Sequence, residues 1–175
     1  MKQKPATKTN LKREFLRHTV ATLAYRGGKS LRDAPEGFGD YLVGEGTRRP
    51  LEILFHINNL IKWAWLLAQG DSGWQDVPTR TWKEEVERFF EELKRLDDYL
   101  ASEAPLGNPP EKIFQGPIAD AHTHVGQMSM LRRLAGSPVR GENYFKAEIV
   151  TGRVGPEQSS LRTEFDWLPK RGGKK

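Results

Sequence analysis

The segment PIADAHTHVGQ, at residues 117–127, holds an aspartate and two of the four histidines of this chain. In a strand, His122 and His124 would lie on one face, because successive side chains alternate between the two faces. In a helix, Asp120 and His124 would lie one turn apart on a shared face, and His122 would point elsewhere. The secondary structure of this segment therefore decides which side chains could bind a metal together.

Read as a strand, the string DAHTHVG resembles the opening metal motif of the amidohydrolase barrels. Such a barrel takes about 250 residues, whereas this chain has 175. A barrel site also needs further ligands on later strands, yet the 51 residues that follow His124 contain no histidine. Chain length and ligand supply therefore disfavour the barrel.

Read as a helix, the segment explains the apolar residues that follow it. The residues at helical spacing on one face are Met128, Leu131, Leu134 and Ala135. Pro117 suits a first helical turn, and Gly136 suits a helix end. In this predicted helix Asp120 and His124 are about 40° apart, whereas His122 is about 160° from His124.

Three further helices are predicted, and together the four indicate an all-α four-helix bundle. Their predicted bounds are Asn10 to about Leu31, Pro50 to Gln69, and Thr81 to Leu100. Gly27 and Gly28 are expected to end or bend the first helix. Thr81 and Glu84 form the capping-box pattern that opens the third, and its charged run at residues 83–98 is interpreted as a solvated face.

The rest of the chain lacks a sustained period, so we predict an irregular C-terminal extension on the bundle. Its predicted apolar contacts are Tyr144, Phe145, Ile149 and Trp167. We expect one domain over residues 10–167, between a flexible basic tail at 1–9 and a disordered basic tail at 168–175.

The net charge of +5 belongs to the chain ends. Residues 1–13 and 168–175 hold nine of the 28 basic residues and no acid, which leaves 19 basic against 23 acidic residues between them, a net of −4. Nucleic acid is therefore not an expected partner. No apolar run approaches 18 residues and no secretion signal is visible, so we expect a cytoplasmic protein without a membrane span.

His56 places a second possible ligand on the predicted helix that begins at Pro50. It falls on one apolar stripe with Ile53, Leu60, Trp63 and Leu67. If the helices that carry His56 and His124 have their N-terminal ends at the same level, these imidazoles and Asp120 converge. Two imidazoles and a carboxylate suit Zn, Ni, Fe or Mn.

Each of these residues also has an ordinary structural interpretation. His56 could be a hydrogen-bonded core histidine, and Asp120 is favoured in a first helical turn by the helix dipole. His18 is expected at the surface, and His122 is expected to face solvent or the C-terminal segment. The coincidence of the three groups on buried stripes is what favours a metal, because there is little reason to bury them unpaired.

At this point the chain resembles the DinB/YfiT-like superfamily of metal-dependent four-helix-bundle proteins, over about residues 10 to 150. The usual triad of that family is a histidine on the second helix and His-x-x-x-His on the last, followed two residues later by Gly-Gln. His56 matches the isolated ligand, and the string His124-Val-Gly126-Gln127 matches the end of the motif. Position 120 departs from the pattern, because it is Asp where the family commonly has His.

The resemblance implies an up-down-down-up bundle, a homodimer, and a divalent metal, Zn or Ni first and Fe or Mn as alternatives. It implies a hydrolase or a transferase acting on a small molecule with a low-molecular-weight thiol. The ligands would be His56, Asp120 and His124, and Gln127 would contact one of these ligands without binding the metal itself. The residues expected in the substrate pocket are Tyr25, Trp63 and Met128. No general base is predicted, and a metal-free interaction or stress-response protein is the alternative.

Overall fold

The computed structural model describes residues 8–74, 77–78, 80–159 and 161–165. The chain is an all-α bundle with a C-terminal extension, as predicted. Its helices are α1 (Lys8–Leu31), α2 (Pro50–Gln69), α3 (Trp82–Ala101), α4 (Pro110–Ile113) and α5 (Ala119–Leu134). The short elements are a 3-10 turn (Phe38–Asp40), a π-helical turn (Phe114–Ile118), and the antiparallel strands β1 (Gly141–Glu142) and β2 (Glu164–Phe165).

The first helix runs antiparallel to α3 and parallel to α5. Near the start of α1, Arg13 donates a hydrogen bond to the carbonyl of Ser102, just past the end of α3. At the other end of α1, the hydroxyl oxygens of Ser30 and Ser129 lie 2.7 Å apart, which places the ends of α1 and α5 at one level.

The second and third helices run parallel to each other. Asn58, near the middle of α2, donates a hydrogen bond to Glu85 in the first turns of α3, and Arg95 stacks over the ring of Trp65 further along both helices. Because α3 is antiparallel to α1, these contacts give an up-down-down-up order for α1, α2, α3 and α5.

A glycine pair lies inside α1, so the prediction that it ends the helix is wrong, whereas the predicted helix end near Leu31 is confirmed. A Cβ on Gly27 would lie 2.4 Å from the ring of Phe89, and one on Gly28 would lie 3.3 Å from the ring of Phe90. The helix continues to Leu31. The pair therefore allows α1 and α3 to approach closely, a packing role for glycine in a helix interior.

The last helical run starts earlier than its sequence predicts. Pro117 does not open a helix; it lies within the π-helical turn that joins α4 to α5. Gly116 has non-helical φ and ψ of −85° and −105°, so the run is kinked there. The run thus begins at Pro110, about 10 Å before the predicted start. The added length extends toward the base of the bundle, the end at which α1 begins.

The charged run of α3 is only partly solvated, which corrects the prediction of a solvated face. Glu85 is fully buried, and Arg88 is 3% exposed. Asn58 donates to the carboxylate of Glu85, while Arg88 donates to the side-chain carbonyl of Asn59 and lies 3.3 Å from Glu85. A buried polar network therefore joins α2 to α3, because each charge finds a partner across the helix pair.

The C-terminal extension contacts α1 through charged and aromatic groups. Glu142 accepts hydrogen bonds from Tyr25 and Lys29, and burial raises the pKa of Tyr25. Tyr144 packs edge-on against Tyr25, but Phe145 is 98% exposed and makes none of the predicted apolar contact.

Ile149 packs on the core as predicted, and the predicted contact of Trp167 lies outside the described residues. Among the described helices, none has the length and apolar character that crossing a membrane requires.

Candidate metal centre

Three side chains from α2 and α5 meet at one side of the bundle. A ligand atom of His56, one of Asp120 and one of His124 all lie within 4.8 Å of one another. The side chain of His124 is 12% exposed, that of His56 is 29% exposed and that of Asp120 is 48% exposed. The cluster is thus partly shielded by the helices and open on the Asp120 side.

These three side chains converge for a different reason from the one that the sequence predicts. The N-terminal ends of α2 and of the last helical run are not at one level, since α2 is antiparallel to α5. His56 lies in the second turn of α2, counted from the top of the bundle. The last run begins at Pro110, at the base, and its added length raises Asp120 and His124 to the level of His56.

The spacing of the three groups is close to that of a small coordination site. Nε2 of His56 lies 3.7 Å from Oδ2 of Asp120, and Nε2 of His124 lies 3.5 Å from Oδ1. Ligand atoms of a tetrahedral ion with bonds of about 2.1 Å are about 3.4 Å apart. The two measured separations, one to each carboxylate oxygen, are close to that value, and the ligand atoms of all three residues lie within 4.8 Å of one another. His56, Asp120 and His124 would hold a Zn-sized divalent ion once their side chains moved closer together.

Gln127 fixes the ring of His124. Its Oε1 lies 2.9 Å from Nδ1 of His124, three residues back on the same helix. Because an amide oxygen only accepts, Nδ1 is the donor of this hydrogen bond, and Nε2 lies on the Asp120 side of the ring, 3.5 Å from Oδ1. An outer partner of this kind orients a ligand imidazole and selects its tautomer.

His56 is held in its neutral form. Burial lowers its pKa below the ordinary value of 6.5, the neighbouring His124 and Arg48 lower it further, and Asp120 opposes the shift. The rings of His56 and His124 are 4.7 Å apart and nearly perpendicular. A neutral imidazole is the form that binds a metal, so His56 does not have to lose a proton at neutral pH.

An open cavity of about 810 Å³ adjoins the cluster. Its lining consists of Thr47, Arg48, Ile53, His124, Gly126, Gln127, Met130 and Leu131. His124 and Gln127 thus connect the candidate centre to a space that could hold a small molecule.

Two residues of this region, Arg48 and Trp74, do not figure in the sequence-based prediction. The ring of Trp74 lies 6.3 Å from that of His56. Trp74 follows α2 in a loop without periodicity, so its sequence carries no signal. Arg48 does carry one, because adjacent arginines just before a helix oppose the helix dipole and are unusual there.

The three residues predicted for the substrate pocket lie in different places. Tyr25, which lies on α1, is buried against Glu142, and Met128 is 1% exposed within the core. Trp63 is half-buried, with its ring 5.8 Å from that of Trp74. Its indole N–H has no hydrogen-bond partner among the described residues. Trp63 therefore reaches the site only through Trp74, and the lining of the cavity includes none of the three.

The other histidines are separate from the cluster. His18 lies at the surface as predicted, with Nδ1 3.2 Å from the hydroxyl of Thr151. His122 does not face solvent: it is half-buried beside the backbone of Thr19 on α1, and burial lowers its pKa. Its position on the far side of α5 from His124 agrees with the predicted helical geometry.

Comparisons with known proteins find no relative of this chain. No protein-family model, no curated protein and no solved structure matches the chain, so its membership of the DinB/YfiT-like superfamily stays a prediction.

Proposed function

We propose that this protein binds one divalent metal ion, Zn or Ni, through His56, Asp120 and His124, and acts as a hydrolase or thiol transferase on a small molecule. The observation that supports the proposal is the convergence of two imidazole nitrogens and a carboxylate within 4.8 Å of one another beside an open cavity. We further propose that the protein is a homodimer, as the sequence resemblance implies, and that it is cytoplasmic, as the sequence pattern predicts. Light scattering tests the first proposal and cell fractionation the second.

Each ligand residue has a defined task in this proposal. When bound, the metal supplies a Lewis acid that makes water or a thiol a nucleophile near neutral pH. His124 is oriented by Gln127, His56 is kept neutral by burial, and Asp120 supplies the one negative charge among the three. The cavity lined by Gln127 and Leu131 leaves room for substrate on one side of the cluster.

A second candidate function rests on the same cluster. Asp120 already lies within 4 Å of both imidazoles, so the three groups could satisfy one another without a metal, as in a non-catalytic interaction module. The two proposals differ in what the carboxylate does. In one it is a ligand, whereas in the other it pairs with the histidines.

The experiment is isothermal titration of Zn²⁺ into tag-free protein and three variants. We expect wild type to bind one ion, His124→Ala to lose about 100-fold or more in affinity, and His18→Ala, the exposed control, to match wild type. Asp120→His, which restores the common pattern of the resembled family, should retain binding. If Asp120 only pairs with histidines, Asp120→His instead lowers stability and Zn²⁺ does not restore it.

A further inference from the structure

The loop before α2 places one arginine on the cavity beside the candidate centre. Arg48 shares the cavity wall with His124 and Gln127. Its neighbour Arg49 points away, with its guanidinium 3.9 Å from the carboxylate of Asp40. Within residues 8–74, 77–78, 80–159 and 161–165, Arg48 forms no ion pair and its side chain no hydrogen bond. Arg48 therefore lines this space without a charged or hydrogen-bonded side-chain partner among the described residues.

The charge of Arg48 is not balanced within the cavity. The described residues that line the cavity include no acid. Asp120 supplies one negative charge, which a divalent ion more than offsets. The charges of Arg48 and Asp120 cancel without metal, whereas a bound divalent ion would make the space positively charged, so the metal-loaded site favours an anionic guest.

The cavity wall also has an apolar part. Met130 is 51% exposed although it is a large hydrophobic residue, and Ile53 and Leu131 lie on the same wall. An inorganic anion would leave this surface uncovered. A molecule with an apolar chain between an anionic group and its reacting group would cover it and reach both Arg48 and His124.

We propose that Arg48 sets substrate specificity by binding the carboxylate of a small organic acid, whose apolar chain lies on Met130 and whose other end reacts at His56, Asp120 and His124. This inference rests on the proposed function, because it assigns the substrate class of that site. Guanidinium suits the task, since its fork of N–H donors matches the two oxygens of a carboxylate.

The test measures binding of a charged probe and its neutral counterpart. The probes are 6-mercaptohexanoate and 6-mercaptohexanamide, titrated by calorimetry into Zn-loaded wild type, Arg48→Met and Arg49→Met. We expect Arg48→Met to weaken the acid about tenfold and the amide hardly at all, since a hydrogen bond to a charged group is lost only for the acid. Arg49→Met, the matched control, should leave both affinities unchanged. The affinity of wild type for the acid should also fall as salt is added.

Two outcomes separate this inference from the proposed function. If the protein binds Zn²⁺ and Arg48→Met weakens acid and amide equally, the substrate class is wrong and the metal proposal stands. If no variant binds Zn²⁺, the metal proposal fails, and the comparison is made on metal-free protein. A preference for the acid that depends on Arg48 then supports an anion site. If metal-free protein shows no such preference, the anion site is overturned.

Discussion

Replacing Gly27 by alanine tests the closest helix contact of the bundle. The new Cβ would lie 2.4 Å from Cζ of Phe89, whose side chain is fully buried. Carbon atoms normally approach to about 3.5 Å, so the ring or the helix must move by roughly 1 Å. Overpacking of this kind costs about 1 to 3 kcal/mol, and alanine recovers about 1 kcal/mol of helix propensity. We expect a net loss of up to about 2 kcal/mol.

The assay is urea unfolding followed by circular dichroism, with Gly126→Ala as the control. A Cβ on Gly126 would meet nothing within 4 Å, so that change should stabilise the protein by about 0.5 to 1 kcal/mol. Adding Phe89→Leu to Gly27→Ala should relieve the clash, so the double variant should be more stable than the two separate losses predict. The packing argument is refuted if Gly27→Ala stabilises the protein as Gly126→Ala does.

Three further predictions concern the site and its supports. Gln127→Ala should weaken Zn²⁺ binding about 10-fold, because His124 loses the partner of its Nδ1–H; calorimetry showing unchanged affinity would contradict this. His122 has a lowered pKa in the folded state, so its contribution to stability is present above pH 6.5 and is lost as the pH falls through that lowered pKa. His122→Gln should therefore lose less stability than wild type between pH 7.5 and 5.5 in urea titrations. Glu142→Ala should cost about 3 kcal/mol in the same assay, since among the described residues it leaves buried Lys29 with Glu164 as its one charged partner; a loss below about 1 kcal/mol would sink that reasoning.

The sequence predicts those features that depend on local periodicity. The capping box at Thr81 and Glu84 opens α3 where it is predicted, because its hydrogen bonds join residues three apart. The shared face of Asp120 and His124 follows likewise from the period of α5. These interactions lie within one helix, so a single stretch of sequence is enough to predict them.

Features that depend on two segments are predicted less well. Gly27 reads as a helix end in isolation, and only the ring of Phe89 on α3 shows that close packing selects it. Glu85 reads as solvated until Asn58 of α2 is placed beside it. Pairing across helices decides both cases, and no local pattern encodes it.

The position of the candidate site along the bundle depends on how α2 and the last helical run are arranged. The prediction places His56 and His124 together through aligned helix starts, whereas antiparallel helices and the early start at Pro110 bring them together. The sequence does not predict that longer run, because Gly116 and Pro117 suggest a helix boundary. In the structure the backbone of Gly116 is non-helical, but the run continues across the kink. The convergence was therefore predicted from an incorrect arrangement of the helices.

The most direct test of the central claim is the metal content of protein purified without an affinity tag or added metal, before and after dialysis against Zn²⁺, Ni²⁺ or Mn²⁺. Elemental analysis of wild type should find close to one divalent ion per chain after dialysis, and His124→Ala should retain far less. Wild type that holds no ion under any of these conditions would contradict the assignment of His56, Asp120 and His124 as a metal centre.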